Sequence, residues 1–502
     1  MKKNVLLLVL ACIFILPLNA LAGSKWDPPG NPGEWYAGAT PDEVDPAKSP
    51  IVFVHGFNSS SFTWTEGNDM DKIAYENGYE TAFIDLYPDK NMWDNGKLLA
   101  EMLEDVYHHF GKKLVVVAHS KGGVDTQTAL VHYNAHPYVN SVITLGSPHH
   151  GTQLADLAYS KWAGWLAAII GLKNDATYSV QTSYMSYYRS ETDRHSNVKQ
   201  NPLYTFSGTS WGSFGGALYW GGLYLKQFGQ NDGVITVDST RLPYAKEVKK
   251  DNWDHQSIKN GSSTFSLFRP YLKTSTFDFH TAESYTYEDD TNMSEPAFSY
   301  LHGGAYRDMT TETIIVEDSV KKMTVSWISD KESTNLTLNS PSQKEYTDFI
   351  VNEISEGIFK GAYEYTIEID QPDAGNWEIT AVQTMESYLL NTVYESDINK
   401  ELSVQLNKGN DLSLSIQSGD HKIDDNQLEA KVHVEYINNN VKEDGIILSK
   451  QDNEQSVTFP NHGEGVYNFT IDLNGLTKNG HPFQRSIIKS VYMDSKGNIY
   501  NN

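Results

Sequence analysis

Ser120 stands in Ala118-His119-Ser120-Lys121-Gly122-Gly123, where an apolar run, Leu114 to Ala118, gives way to helical spacing. A hydroxyl at so sharp a strand-to-helix turn is a candidate nucleophile. The turn lifts Oγ off the sheet edge, and amides at the helix N-terminus can bind an oxyanion that develops as Oγ attacks. Small residues at Ala118, Gly122 and Gly123 suit a tight elbow, because bulky neighbours would clash with the adjacent strand or helix. Such a pentapeptide arises by chance in about a third of chains this long, so its strand-turn-helix setting carries the signal. A serine hydroxyl is a weak nucleophile until a histidine takes its proton, and that histidine needs a carboxylate to orient it.

The elements that would position these groups are legible around the serine. "IVFVHG" from Ile51 reads as a short buried strand, as do "YETAFIDL" at 79–86, "LVVVAH" at 114–119, "VNSVITLGSP" at 139–148 and "PLYTFSGT" at 202–209. Leu98, Leu99, Met102, Leu103, Val106 and Phe110 recur at helical spacing, and a helix is expected over 121–133. Strands alternating with helices imply a mainly parallel sheet covered on both faces. Residues 24–48 read as an extended lead-in.

Five segments stand out: "VFVHGF" at 52–57, "AHSKGG" at 118–123, "TLGSPHHGT" at 144–152, "NDGVI" at 231–235 and "WDHQSI" at 253–258. Through them residues 50–275 resemble the α/β-hydrolase fold, in particular secreted bacterial-type lipases and esterases. The resemblance implies the chain order Ser, acid, His. By resemblance the acid is Asp232, with Asp238 as its nearest competitor and Asp254 too close to the histidine. The base is His255, on the loop before the last helix. His119 should point away from its neighbour Ser120, His149 and His150 are expected to line or support the site, and His280 lies beyond the domain edge. The oxyanion amides implied are those of Phe57 and Lys121. A lysine after the serine departs from the family pattern, and a local salt bridge is the reading preferred for its ammonium.

Trp162 and Trp165, with Leu166, Ile169 and Ile170, fall at helical spacing in 160–172. They are candidate substrate-binding residues of a lid, or part of a fixed cap. Asp232, Asp238, Asp251 and Asp254 could offer oxygens to a structural calcium, but in so acidic a chain they read first as solvated loops. No metal site and no cofactor are expected.

The 502 residues carry a net charge of −25, which disfavours a nucleic-acid or anionic-membrane surface. The start, with Lys2 and Lys3, an apolar run and Ala20-Leu21-Ala22, reads as a signal peptide over 1–22, so the protein is expected to be secreted. The lone cysteine, Cys12, falls inside it, which excludes disulfides from the rest of the chain. No later run is apolar enough to cross a membrane. After about 275, alternating segments such as "KKMTVSWISD", "YEYTIEID" and "VYNFTIDL" are divided by turn residues, the pattern of antiparallel sandwiches.

The expected architecture is a catalytic α/β hydrolase over 23–275 with a cap or lid insertion, then two all-β sandwich domains over 276–400 and 401–502. The expected function is hydrolysis of carboxylic esters, foremost those of triacylglycerol or related lipids, through an acyl-enzyme. A short-chain carboxylesterase, a phospholipase and a polyester hydrolase are alternatives within the class. An adhesion protein with an inactive hydrolase domain is the alternative outside it. The partner expected is an acyl-ester substrate, with the β domains as candidates for contact with a surface or polymer.

Overall fold

The computed structural model describes residues 30–272, 295–408, 412–418, 422–438, 441–444, 448–449, 457–458 and 462–501. The expected signal peptide with Cys12, His280 and the expected boundary near 275 lie outside the described residues.

Seven strands form the first sheet: β1 (Trp35–Ala37), β2 (Ile51–Val54), β3 (Thr81–Ile84), β4 (Leu114–His119), β5 (Val139–Leu145), β6 (Leu203–Gly208) and β7 (Lys246–Asp251). Their order is β1-β3-β2-β4-β5-β6-β7, parallel throughout except for β1 on β3. The helices are α1 (Met70–Glu76), α2 (Met92–Phe110), α3 (Lys121–His132), α4 (Gln153–Ala158), α5 (Gly164–Ile169), α6 (Asp175–Ser179), α7 (Thr182–Thr192), α8 (Tyr219–Leu225) and α9 (Gly261–Phe268).

The central strands are continuous apolar runs because both faces are buried. Val52, Val54, Val116 and Ala118 point into one core with Leu99 and Leu103 of α2. Their neighbours Ile51, Phe53, Val115 and Val117 point into the opposite core, with Phe265 and Phe268 of α9. Helix α2 begins where the Asn91 side chain accepts from the amides of Trp93 and Asp94, and it stops at Gly111 in the left-handed region (φ 63°).

Two strands of this sheet escaped the sequence reading. β1 lies inside the expected extended lead-in. β7, Lys-Glu-Val-Lys-Lys-Asp, is an edge strand facing water, so it lacks the apolar run that marks its neighbours. The helix expected over 160–172 is confined to α5, since 160–163 form a turn and Gly171 closes the segment at φ 76°.

Beyond 295 the sheets are antiparallel. The largest is built on Gly375–Ser396, which pairs with Ser299–Val316, Val320–Ser329 and Asn335–Asn339. Tyr363–Asp370 and Ile350–Glu353 extend it on one side, and Glu345–Tyr346 joins it through Asn335–Asn339. A second sheet holds Glu429–Asn438, Gly465–Leu476 and Pro482–Met493, and a small third one joins Glu295–Pro296 to Leu402–Lys408 and Leu412–Ser418. This β region does not hang from the hydrolase as a separate bead. One apolar cluster combines Leu154, Leu157, Trp220 and Leu225 with Leu301, Ile354, Ile358, Phe359 and Leu389.

Candidate active site

Ser120 sits between β4 and α3 with φ 52° and ψ −134°, a strained conformation for a residue with a side chain. Neighbouring glycines make room for it. A Cβ on Gly122 would lie 2.3 Å from the His55 carbonyl oxygen, and one on Gly56 would lie 2.6 Å from Ser120 Cβ. The Ser120 amide donates to the Leu145 carbonyl at 2.9 Å, which ties the elbow to β5.

His255 and Asp232 come to this elbow from two later loops. His255 Nε2 lies 3.1 Å from Ser120 Oγ, and His255 Nδ1 lies 2.7 Å from Asp232 Oδ2. The other Asp232 oxygen accepts from the amides of Val234 (3.0 Å) and Ile235 (2.7 Å). A carboxylate only accepts, so the proton between the two side chains belongs on Nδ1 and Nε2 is left to accept from the serine. The two loops also bond directly, with the His255 amide donating to the Asp232 carbonyl at 2.9 Å. Asp232 and His255 are almost wholly buried and Ser120 is 8% exposed.

Two further histidines hold the loops. His119 points away from Ser120, and its Nε2 lies 2.8 Å from the His255 carbonyl oxygen. Burial and the neighbouring His255 hold its imidazole well below the ordinary range, so a neutral ring donates this bond. His55 Nε2 accepts from the Leu86 amide (3.0 Å), which puts its proton on Nδ1, and Nδ1 donates to the Gly56 carbonyl (2.8 Å). That pair of bonds fixes the loop leading to Phe57. Lys121, the first residue of α3, directs its ammonium away to Asp125 at 2.7 Å, and both side chains are 3% exposed. Asn95 also donates to Asp125 (3.2 Å). Burial pushes the Asp125 carboxyl up, against the pull of Lys121.

The other sequence candidates stand elsewhere. Asp238 pairs with Arg241 (2.7 Å) and is mostly exposed. Asp254 accepts from the amides of Gln256 and Ser257 and so caps the turn after His255. His149 lies 3.3 Å from Thr144, and His150 donates to the Arg241 carbonyl at 3.0 Å. Trp162 donates to Asp472 (3.0 Å) and packs on His302, both in the β region, whereas Trp165 is 63% exposed. Neither tryptophan lines the cavity at Ser120. Among the described residues no three His, Cys, Asp or Glu side chains are grouped to hold a metal ion.

That cavity is partly open and takes in about 480 Å³ free of protein atoms, open solvent included. Gly56, Phe57, His119, Ser120, Lys121, Val234, Ile235 and His255 line it from the hydrolase side, and Glu356, Gly357 and Ile358 from the β region. The second group belongs to a tight loop. The Ile354 amide donates to the Ala362 carbonyl (2.8 Å), and the Gly361 amide donates back to Ile354 (2.9 Å). Gly357 turns it at φ 78°. Gln256 Nε2 donates to Ser355 Oγ (2.9 Å), Lys259 pairs with Glu356 (3.4 Å), and Lys360 Nζ reaches the Asn58 carbonyl (3.4 Å). Phe359 meets Trp220 edge-on at 5.0 Å between ring centres. Sequence reasoning passed over this loop. Its one signal is Ile354, Ile358 and Phe359 crowded into a Gly-containing connection between strands, where polar residues are the rule.

Residues 89–162 match the PGAP1-like alpha/beta domain. The whole chain is similar to lipase BlEst2 of Bacillus licheniformis in its propeptide form, with 38% identity over 94% of this chain and 100% of that one and a TM-score of 0.82. The mature form of that lipase is 55% identical over 49% of this chain and 100% of its own, with a TM-score of 0.47. A metagenomic carboxyl esterase is 17% identical over 46% of this chain and 76% of its own, with a TM-score of 0.36. No curated protein matches the chain. The chain therefore belongs to the lipase family of Bacillus licheniformis BlEst2, and it is an α/β-fold hydrolase of carboxylic esters.

Proposed function

We propose that the chain is a secreted serine lipase that acts on triacylglycerol or related acyl esters and is made in a covered form. Ser120 Oγ attacks the ester carbonyl while His255 Nε2 takes its proton. Asp232 holds the Nδ1 proton and stabilises the imidazolium that forms. The amides of Phe57 and Lys121 receive the oxyanion. His255 then returns the proton to the departing alcohol. Water, deprotonated by the same imidazole, attacks the acyl-enzyme and releases the acid. The scheme uses no cofactor. The observation that carries it is the continuous bonding from Asp232 through His255 to Ser120 at 2.7 and 3.1 Å.

The covered form rests on the loop at 354–362, which closes the cavity beside Ser120. It accords with the propeptide form of the similar lipase. Secretion rests on the first 22 residues, and the division of the β region near 400 rests on its sequence texture. Contact of the β region with a surface or polymer stays a separate proposal.

The test is turnover of p-nitrophenyl esters, from acetate to palmitate, by the full chain and by a full chain with the loop unseated. Gly357→Val with Ile358→Ser does this, because a Cβ on Gly357 would sit 3.0 Å from Val234 Cγ2 at a φ that side chains rarely adopt. Hydrolysis that appears on unseating and vanishes with Ser120→Ala supports the reading. Hydrolysis that survives Ser120→Ala contradicts it.

A further inference from the structure

Lys259 ends the turn Ser257–Lys259, four residues beyond His255, and lines the same cavity as Ser120. Its side chain is 11% exposed, and its ion-pair partner is Glu356 of the covering loop at 3.4 Å. The other charged groups at the hydrolase wall are matched from within the hydrolase. Lys121 has Asp125, and Asp232 is committed to His255 and two amides. His119 is held neutral by burial. Among the described residues, removing the loop therefore leaves one uncompensated ammonium at the rim of the ester site. Gln256 stands beside it, its Nε2 3.4 Å from the same Glu356 oxygen. Burial would push the Glu356 carboxyl up, but Lys259 and then Lys360 hold it below its ordinary value, so the rim receives an ionised carboxylate.

We propose that Lys259, with Gln256, is a carboxylate receptor that sets substrate choice, and that Glu356 occupies the place of an anionic group on the ester. The inference rests on the reading of Ser120 as the nucleophile. A partly desolvated ammonium gains most from an ionised acceptor, whose hydrogen bonds are about twice as strong as neutral ones. Within the proposed class, the enzyme with its loop unseated should then favour acyl esters that carry a carboxylate near the scissile bond over neutral triacylglycerol. Burying that rim against a neutral chain strands the charge.

The experiment uses the full chain with Gly357→Val and Ile358→Ser. Mono-p-nitrophenyl adipate is compared with p-nitrophenyl hexanoate, and 4-butyryloxybenzoate with phenyl butyrate, so that the charge lies on the acyl side in one pair and the alcohol side in the other. Lys259→Met should lower the anionic-to-neutral ratio of kcat/KM by about tenfold in at least one pair, and Lys259→Arg should retain most of it. A ratio that Lys259→Met leaves unaltered in both pairs overturns the proposal.

A second arm needs no turnover. In full-length Glu356→Ala, acetate should raise the melting temperature by filling the vacated site, and the added substitution Lys259→Met should abolish that rise. A melting temperature indifferent to acetate overturns the proposal as well. If the unseated chain hydrolyses none of these esters, the Ser120 reading fails and the acetate arm decides alone.

Discussion

The two walls of the cavity at Ser120 are held by different means. The hydrolase wall is made of loops at the ends of parallel strands whose side chains are buried on both faces. Its charges are paired locally, Lys121 with Asp125 four residues on, and Asp232 with the His255 loop. The β wall is one loop between two antiparallel strands, and it is held against the hydrolase by Ile358 and Phe359, a few hydrogen bonds and the Lys259–Glu356 pair. Contacts of the first kind cannot be lost without unfolding the sheet. Those of the second kind cross between the two regions and include no strand pairing of the hydrolase sheet.

The largest effects should come from the hydrolase wall. With the loop unseated, Ser120→Ala should lower kcat by four to six orders of magnitude, roughly what loss of a nucleophile removes elsewhere. Asp232→Asn should lower it by about 10⁴, because the imidazole then takes the wrong tautomer. Near-normal turnover in Asp232→Asn alongside loss in Asp238→Asn would move the acid to Asp238.

The buried pair on that wall should matter next. Asp125→Asn leaves the Lys121 ammonium without its carboxylate where both side chains are 3% exposed. Chemical denaturation should show about 3–5 kcal/mol of lost stability. A loss below about 1 kcal/mol would mean that water reaches the pair.

The β region carries a pH dependence of its own. Burial pushes the Glu364 carboxyl up to about 7, against the hydroxyls of Thr366 and Ser326. The folded chain then keeps a proton that the unfolded chain gives up near the ordinary value of 4.5. Stability is full below that value and falls as pH rises toward 7, by at most about 3 kcal/mol. Glu364→Gln should flatten that decline in a series of melting curves, and an unchanged slope would assign it to another group.

The smallest effect is expected where the walls meet. Glu356→Gln keeps the shape of the loop but removes its charge from Lys259. Ester turnover by the full chain should rise several-fold, as for the loss of about 1 kcal/mol of loop docking. An unchanged rate would mean that Ile358, Phe359 and the remaining hydrogen bonds keep the loop seated without the pair.

This contrast also explains what the sequence disclosed. Ser120, Asp232 and His255 were legible as candidates because the elbow needs small residues and a strand before it, and because the later loops carry their residues in short recognisable segments. The buried strands announced themselves as apolar runs. β7 did not, since an edge strand needs no apolar face. Helical spacing around Trp162 and Trp165 left a lid and a fixed cap equally open, and in the structure Trp162 packs against the β region while Trp165 faces water. Spacing shows that a stripe exists, not what covers it. The loop at 354–362 was invisible for a related reason, as a pairing between residues about a hundred positions apart, such as Gln256 and Ser355, leaves no local pattern.

Ser120, as proposed, is an activated nucleophile shielded by the loop. Covalent labelling with a fluorophosphonate, followed by peptide mapping, measures both parts at once. Labelling should be slow in the full chain and fast after Gly357→Val with Ile358→Ser, with modification at Ser120 alone and none in Ser120→Ala. Equal rates with the loop seated and unseated, or label on a different residue, would contradict it.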